Sequence, residues 1–591
     1  MGDADAARLA GAGGMTPDER EGLLPSGRQL AVTWSIPDAP GGMTGAMLRR
    51  SRSFVELAGA RVDVLTFDAR PDYGAVRDRL TRLGELVPGL RLRNLYEELR
   101  GDAADAGPGT VATLEDGRGL RVEHRRADGS LAVLDERPRD RGERRRITRF
   151  DHDERPVHRW DSAWACYADW IAETAAGERA FAIVDSKTAA RFMARIRLPE
   201  VVTLHMVHNA HLAGADRPLG PLRASRRDVL ARPERFDAIV FLTERQRADA
   251  TTLLADGGNL AVVPNATPAP APPPGGSSAP QDAPRDPAAV VVVAGLTRRK
   301  RVHHAIEAVA LARAQGAPAR LRVFGTGPEL DRLVAEAGER GLGDEVEFAG
   351  HRADAAEAFA EASVTLLTST SEGAPLVLLE AMSRGCVPIA YDIPYGPADL
   401  IEYGVNGFLV APGDVAALAA TVARVASLPE SDRARLRAAA RRAAARFDDA
   451  AVVARWGAVQ RRAADRHGAA PLPAFEVRRL RLRRPGDRLR LSARLERVPD
   501  AAQVIVRLER RASGVLLRRP AEHRHGRVEL RLTPEETAFL GPGALHVGFV
   551  VLDGDRRAEA AAGRLHPDTR SLPRRVAGGI RSRLPRREGR G

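Results

Sequence analysis

VTLLTSTSEGAPLVLLEAMSRGCVPIAY, residues Val364 to Tyr391, reads as a buried strand (Val364–Leu367), a polar loop, a helix (Leu376–Gly385) and a second buried strand (Val387–Tyr391). Both strands are apolar on successive residues, as strands covered on both faces must be. The helix joining them makes the pair parallel. The same alternation extends upstream through strands Val290–Ala294, Leu321–Gly325 and Val346–Phe348 with helices between. This predicts a doubly covered parallel sheet, a Rossmann-like domain.

The N-terminal half repeats the theme. Leu30–Trp34 is a strand, Pro40-Gly41-Gly42-Met43-Thr44 a glycine loop leading to a helical pattern, and RVDVLTF (Arg61–Phe67) a second strand. FAIVD (Phe181–Asp185) and VVTLHMV (Val201–Val207) add buried strands. Between them, from about 92 to 160, the pattern alternates, with Ala127-Asp128-Gly129-Ser130 placed as a hairpin turn. A β-rich insertion is expected there. NATPAPAPPPGGSSAPQDAPRD (Asn265–Asp286) is too rich in Pro, Gly and Ser to continue a packed layer.

The expected organisation is therefore a disordered tail at 1–27, a first Rossmann-like domain at 28–265, a linker at 266–287 and a second Rossmann-like domain at 288–466. A β-rich, sandwich-like domain follows at 472–568 and a basic disordered tail at 569–591. A chain of 591 residues exceeds what one hydrophobic core supports, which agrees.

Candidate chemistry gathers at strand ends. Ser371-Glu372-Gly373-Ala374-Pro375-Leu376 opens a helix whose first turn offers free N–H groups to a phosphate, and Glu380 lies further along the same helix. A carboxylate suits the vicinal hydroxyls of a sugar or ribose. The plain alternative makes Glu372 a partner of the helix dipole and Glu380 a solvated residue. Thr297-Arg298-Arg299-Lys300-Arg301 follows strand Val290–Ala294 and would hold a diphosphate, or be a solvated basic loop. His205, His208 and His211 crowd the end of another strand. His205 fits a hydrogen-bonded core position, while His208 and His211 lie where a sugar or acceptor reaches. No Cys or carboxylate cluster accompanies them, so no metal site is expected. Gly41-Gly42 allows close approach of a ligand to the backbone, or makes a tight turn. It lacks the full dinucleotide fingerprint, which disfavours a nicotinamide enzyme. Asp151-His152-Asp153 and Asp553-Gly554-Asp555 read as turns.

With these residues in place, the second domain resembles the retaining GT-B glycosyltransferases of family 4. The matching elements are Val263-Pro264-Asn265, Lys300-Arg301, Phe324-Gly325-Thr326-Gly327-Pro328 and the Glu372…Glu380 pair. YDIPYGPADLIEYGVNGFLV (Tyr391–Val410) is similar to the bacterial poly(glycerol-phosphate) α-glucosyltransferases that decorate teichoic acid. PGGMT, the ADGS hairpin, FAIVDSK and HNAHL in the first half resemble the same group. The resemblance implies a GT-B fold and a nucleotide-sugar donor, UDP-glucose, with no further cofactor and no metal. It implies Lys300 on the donor diphosphate, Glu380 on the ribose and Glu372 on the donor sugar, with His208 or His211 lining the sugar pocket. Gly41, Gly42, Asn265, Gly325, Gly373, Ala374, Pro375 and Leu376 would contact the donor. The family's arginine five residues before the lysine is here Gly295, and Arg298 or Arg299 is the expected replacement. The implied acceptor is a polyol-phosphate polymer or related cell-surface glycan. Use of UDP-N-acetylglucosamine with a glycan or protein serine, or a non-catalytic protein binding glycan or anionic polymer, are the alternatives.

Location follows from charge and hydropathy. The net charge is +13, and residues 570–591 hold eight arginines against one glutamate. Such a tail is attracted to anionic membrane or is simply solvated. No aromatic residue interleaves the arginines, so nucleic acid is not the expected partner. There is no apolar run long enough to span a membrane and no export leader pattern. The two cysteines, Cys166 and Cys386, form no C-x-x-C pair. A cytoplasmic protein, placed if anywhere at the inner membrane face and possible in homo-oligomers, is the expectation.

Overall fold

The computed structural model describes residues 22–567, except 39–40, 102–108, 117–118, 141–143, 215–216, 268–283, 353 and 470–471. Most of the linker, the end of the N-terminal tail away from the domain, and the basic tail lie outside the described residues.

The first sheet has seven strands in the order Leu260–Val262, Ala238–Phe241, Val201–Val207, Ala180–Val184, Arg28–Val32, Val62–Thr66 and Leu90–Asn94. All of its pairings are parallel. Chain order reverses between Arg28–Val32 and Ala180–Val184, so the topological switch point lies there. The second sheet has six strands, ordered Val346–Gly350, Arg320–Phe324, Ala289–Val293, Val364–Leu367, Val387–Tyr391 and Phe408–Val410, again all parallel. Two parallel-sheet domains therefore stand as the alternating apolar runs require. AFAIV at 180–184 and VPIAY at 387–391 are buried at every residue because helices cover both faces.

Three expectations need correction. First, the insertion begins later than residue 92. Leu90–Asn94 is the edge strand of the first sheet, paired with Val62–Thr66, and Leu95–Arg100 is a helix. The alternating burial of LRLRN arises because an edge strand exposes one face. The insertion proper is a five-stranded antiparallel sheet from Thr110 to Trp160. Its hairpin turn is the one expected: Asp128 Oδ1 accepts from Ser130 N at 2.8 Å.

Second, the second domain does not own all of 288–466. Helix Asp449–Gly468 returns to the first domain. Its stripe of Val452, Val453, Trp456, Val459 and Ala463 is buried in the core that contains Phe54 and Leu204. Spacings of three and four residues put that stripe on one face. Third, the N-terminal tail is not free up to residue 27. Leu23 and Leu24 belong to the same core. Gly457 permits this, since a Cβ there would lie 1.8 Å from the Leu23 carbonyl oxygen. The C-terminal region between Glu476 and Leu565 is the expected antiparallel β domain: its seven strands are linked edge to edge, with strand Val515–Arg524 pairing along most of its length with Gln503–Arg510 and at its end with Arg527–Arg531. Leu472 N donates to Arg557 O at 3.1 Å, joining the segment before the first strand to the last. The apolar faces of all seven strands enclose one core.

Candidate functional site

The basic loop and the acidic loop meet. Strand Ala289–Val293 ends in the turn Arg298–Lys300, and strand Val364–Leu367 ends in the loop leading to helix Leu376–Ser383. These strands are neighbours, so their C-terminal ends emerge side by side. Thr368 Oγ1 donates to the carbonyls of Lys300 (2.8 Å) and Arg301 (2.9 Å), and Thr370 N donates to Arg299 O at 2.9 Å. Arg301 takes a left-handed conformation, φ 47°, which no glycine relieves; the Thr368 bond holds its carbonyl there.

Glu372 lies in the loop, ahead of the helix, and backbone pairing fixes it. Its N–H donates to Pro394 O at 3.2 Å and its carbonyl accepts from Tyr395 N at 3.0 Å. Its carboxylate receives Lys300 Nζ at 2.7 Å and Arg299 Nη1 at 2.8 Å. Glu372 is 7% exposed. Burial works to raise its pKa, but the Lys300 and Arg299 charges outweigh that and hold it below the ordinary glutamate range. Arg298 stands apart: its side chain is 93% exposed and faces Glu329. Gly295 has open space where a Cβ would project. Of the two candidate replacements for the absent arginine, only Arg299 reaches the acid.

Helix Leu376–Ser383 is preceded by Pro375 and has no side-chain cap. Helix Gly42–Ala58 of the first domain is preceded by Gly41 and is equally uncapped. They face each other, with a Cβ on Gly42 falling 3.8 Å from Leu376 Cδ1. Two uncapped N-termini thus present free N–H groups and positive dipole ends to one cleft. Gly373 closes the other side of it. A Cβ at Gly373 would lie 2.1 Å from the His208 carbonyl oxygen, so only glycine lets the two domains touch there.

The histidines separate. His208 Nε2 bonds Asp185 Oδ1 at 2.8 Å, and Arg50 binds the same carboxylate through two nitrogens at 2.9 and 2.7 Å. Burial alone would raise the Asp185 pKa, yet Arg50 and His208 drive it far below the usual value. A buried, charged carboxylate fixes the orientation of the His208 ring. His211 is fully buried and does not line the cleft. It stacks on Tyr395 of the second domain, centroids 5.6 Å apart, and burial pulls its pKa down to about 4. His205 is a core histidine bonded to Val184 O at 2.9 Å, with its pKa lowered to about 3 mainly by burial.

Three further expected residues have other surroundings. Glu380 is half-buried, and burial raises its pKa against the influence of Arg384 and Arg49. Among the described residues no side chain bonds its carboxylate. Gly325, φ 141°, packs where a Cβ would sit 1.9 Å from Ala294 O. It packs against the end of strand Ala289–Val293, at the root of the basic loop. Asn265 lines a void of about 20 Å³ with Arg49, Arg50, Asp449 and Trp456, room for a water and not for a nucleotide. Sequence reasoning missed Asp185 and Arg50. The signal was available in FAIVD, whose aspartate ends a buried strand at the switch point. Asp151–Asp153 is an exposed turn in which Asp151 Oδ1 accepts from Asp153 N and Arg155 N, and Asp553–Asp555 is a hairpin turn. Among the described residues no group of three or more His, Cys, Asp or Glu is placed to hold a metal ion. Also among the described residues, no helix is long and apolar enough to cross a membrane.

Comparison with known proteins gives a consistent picture. Residues 277–443 match the family model Glycosyl transferases group 1. The chain is 38% identical over 199 residues to an exopolysaccharide phosphotransferase of Streptomyces coelicolor, covering 33% of this chain and 20% of the relative. It is 25% identical over 229 residues to the poly(glycerol-phosphate) alpha-glucosyltransferase of Bacillus subtilis, covering 39% of this chain and 33% of the relative. The chain thus spans between a fifth and a third of the length of these two relatives. Its fold is that of S. aureus TarM, solved as a G117R mutant with fondaparinux, alpha-GlcNAc-glycerol and UDP: TM-score 0.58, 16% identity, 73% of this chain and 99% of that one.

Proposed function

We propose that this chain, which carries a group 1 glycosyltransferase domain within a GT-B frame, transfers a hexose from a UDP-sugar to a hydroxyl with retention of configuration. The favoured donor is UDP-glucose, and the favoured acceptor is a polyol-phosphate polymer or related cell-surface glycan. The observation that carries the reading is the 2.7 Å Lys300–Glu372 contact at the mouth of two facing helix N-termini. In the reaction, Lys300 and Arg299 bind the diphosphate and stabilise the charge that grows on it as the sugar leaves. The first turns of helices Gly42–Ala58 and Leu376–Ser383 supply N–H groups to the same phosphates. Glu372, released from Lys300 by the incoming phosphate, accepts from donor-sugar hydroxyls near the reacting carbon. Glu380 accepts from the ribose. His208, oriented by Asp185, contacts the sugar from the first domain. The acceptor hydroxyl attacks from the face the diphosphate leaves, and the departing phosphate takes its proton.

The test is UDP release by the pure protein from UDP-glucose and UDP-N-acetylglucosamine, with poly(glycerol phosphate) as acceptor. Turnover with UDP-glucose that survives EDTA is expected; background release from every sugar nucleotide would end the proposal. A cytoplasmic site of action is part of this reading, with the arginines of 570–591 drawing the protein to anionic membrane. Deleting that segment should weaken sedimentation with phosphatidylserine vesicles at low salt and spare turnover on soluble acceptors.

A further inference from the structure

A second cavity, of about 190 Å³, opens in the first domain and is lined by Trp34, Trp164, Tyr167, Phe192, Arg145, Arg191, Arg195 and Thr188. Its position is set by topology. Trp34 follows strand Arg28–Val32 and Thr188 follows strand Ala180–Val184, the two strands that flank the switch point of the first sheet. Ligands of parallel sheets bind outside the strand C-termini at such a point. Asp185, which orients His208, lies three residues before Thr188. The cavity therefore opens near the C-terminal ends of those two strands of the first domain.

The composition of the walls is unusual for this chain. Aromatic residues are only 4% of the sequence, yet two of its five tryptophans meet here. Trp164 is 39% exposed, with Tyr167 and Phe192 set 6.2 and 5.9 Å from its ring. Arg195 lies over the Trp164 ring at 5.7 Å and has no ion-pair partner among the described residues. Among the described residues, Arg191 is held by one exposed ion pair, 3.2 Å to Asp228. Arg145 enters from the insertion, anchored on buried Asp135. An exposed tryptophan face stacks on the C–H face of a sugar or polyol. Free guanidinium groups bind phosphate through paired N–H donors.

We infer that this cavity is an acceptor subsite that binds a repeating unit of a phosphate-bearing polyol or sugar chain, with Trp164 and Trp34 stacking on its carbon face and Arg191 and Arg195 on its phosphate. The inference rests on the transferase reading above, because it assigns the polymer that the cleft modifies. It gives the insertion a role: Arg145 completes the cavity from that sheet.

The experiment is tryptophan-fluorescence titration of the full chain with short poly(glycerol phosphate), with neutral dextran oligosaccharide as comparison. Alongside it run UDP release in water and on the polymer. The double variant Arg191→Ala/Arg195→Ala and the variant Trp164→Ala should each weaken polymer binding and raise the polymer KM about tenfold or more. Release of UDP to water should stay at the wild-type level. A control pair removes exposed arginines elsewhere, Arg61→Ala/Arg322→Ala, and should change nothing. Wild-type polymer affinity in the cavity variants overturns the inference, as does an equal loss in the control pair. Polymer binding that depends on these residues in a protein that releases no UDP supports the subsite and removes only the transferase reading.

Discussion

Lys300 is both a ligand for the proposed diphosphate and the main counter-charge of a buried acid. Lys300→Ala should therefore cost about 10²–10³ in kcat and also about 1–3 kcal/mol of stability, since Glu372 keeps only Arg299. Arg299→Ala should lower kcat by a similar factor, whereas Arg298→Ala, whose side chain is in solvent, should stay within about twofold of wild type. Initial rates and thermal unfolding of the three variants check this, and equal losses for Arg298 and Arg299 would sink the assignment. RRK at 298–300 showed that a cationic loop ends the strand. Which arginine turns inward depends on where Glu372 sits, and that is set by pairing with Pro394 and Tyr395, more than twenty residues later in the chain.

At the level of elements, glycine positions decide how closely loops approach. Gly373→Ala should push the acidic loop off His208, raising the donor KM and lowering kcat/KM about tenfold or more, with an overpacking cost of about 1–3 kcal/mol. Gly295→Ala faces open space and should change neither quantity. Steady-state kinetics with UDP-glucose distinguish the two; a harmless Gly373→Ala would mean the domains do not touch there in solution. Element type was readable for most strands of the parallel sheets because apolar runs and helical stripes are local properties; the short strands Ala238–Phe241, Leu260–Val262 and Phe408–Val410 went unread. The LRLRN strand was misplaced for a reason equally local: an edge strand and an antiparallel strand share the same alternation. Only the partner strand, Val62–Thr66, separates them.

For the molecule as a whole, one buried carboxylate joins three parts. Asp237 of the first domain accepts His467 at 2.8 Å from the returning helix, lies 3.3 Å from Arg197, and lies 3.5 Å from Arg557 of the C-terminal sheet. Burial opposes its charge, but His467 and the two arginines draw its pKa down to about 2. An aspartate in an unfolded chain titrates near 3.9. Its folded-state pKa is the lower, so its contribution is full above about pH 4 and fades as pH falls towards 2. Asp237→Asn should lose about 3–5 kcal/mol at neutral pH and show a shallower acid decline between pH 4 and 2. Denaturant unfolding across that range reads both effects. The C-terminal sheet is further tied to the first domain by the buried Arg518–Glu234 pair at 2.7 Å, so it is not a loosely tethered appendage.

Taken alone, the order of residues determined the two parallel-sheet domains, the inserted hairpin and the strand ends where charged groups collect. These follow from periodicity, turn chemistry and the covered faces of parallel strands, all expressed within a few tens of residues. Tertiary structure decided the return of helix Asp449–Gly468 to the first domain, the burial of Leu23 and Leu24, and the choice of Arg299 over Arg298. It also decided the inward turn of His211 and the meeting of Trp34 with Trp164 around one cavity. Each depends on which distant surfaces exclude water together, and that pairing is a property of the packed chain rather than of any segment.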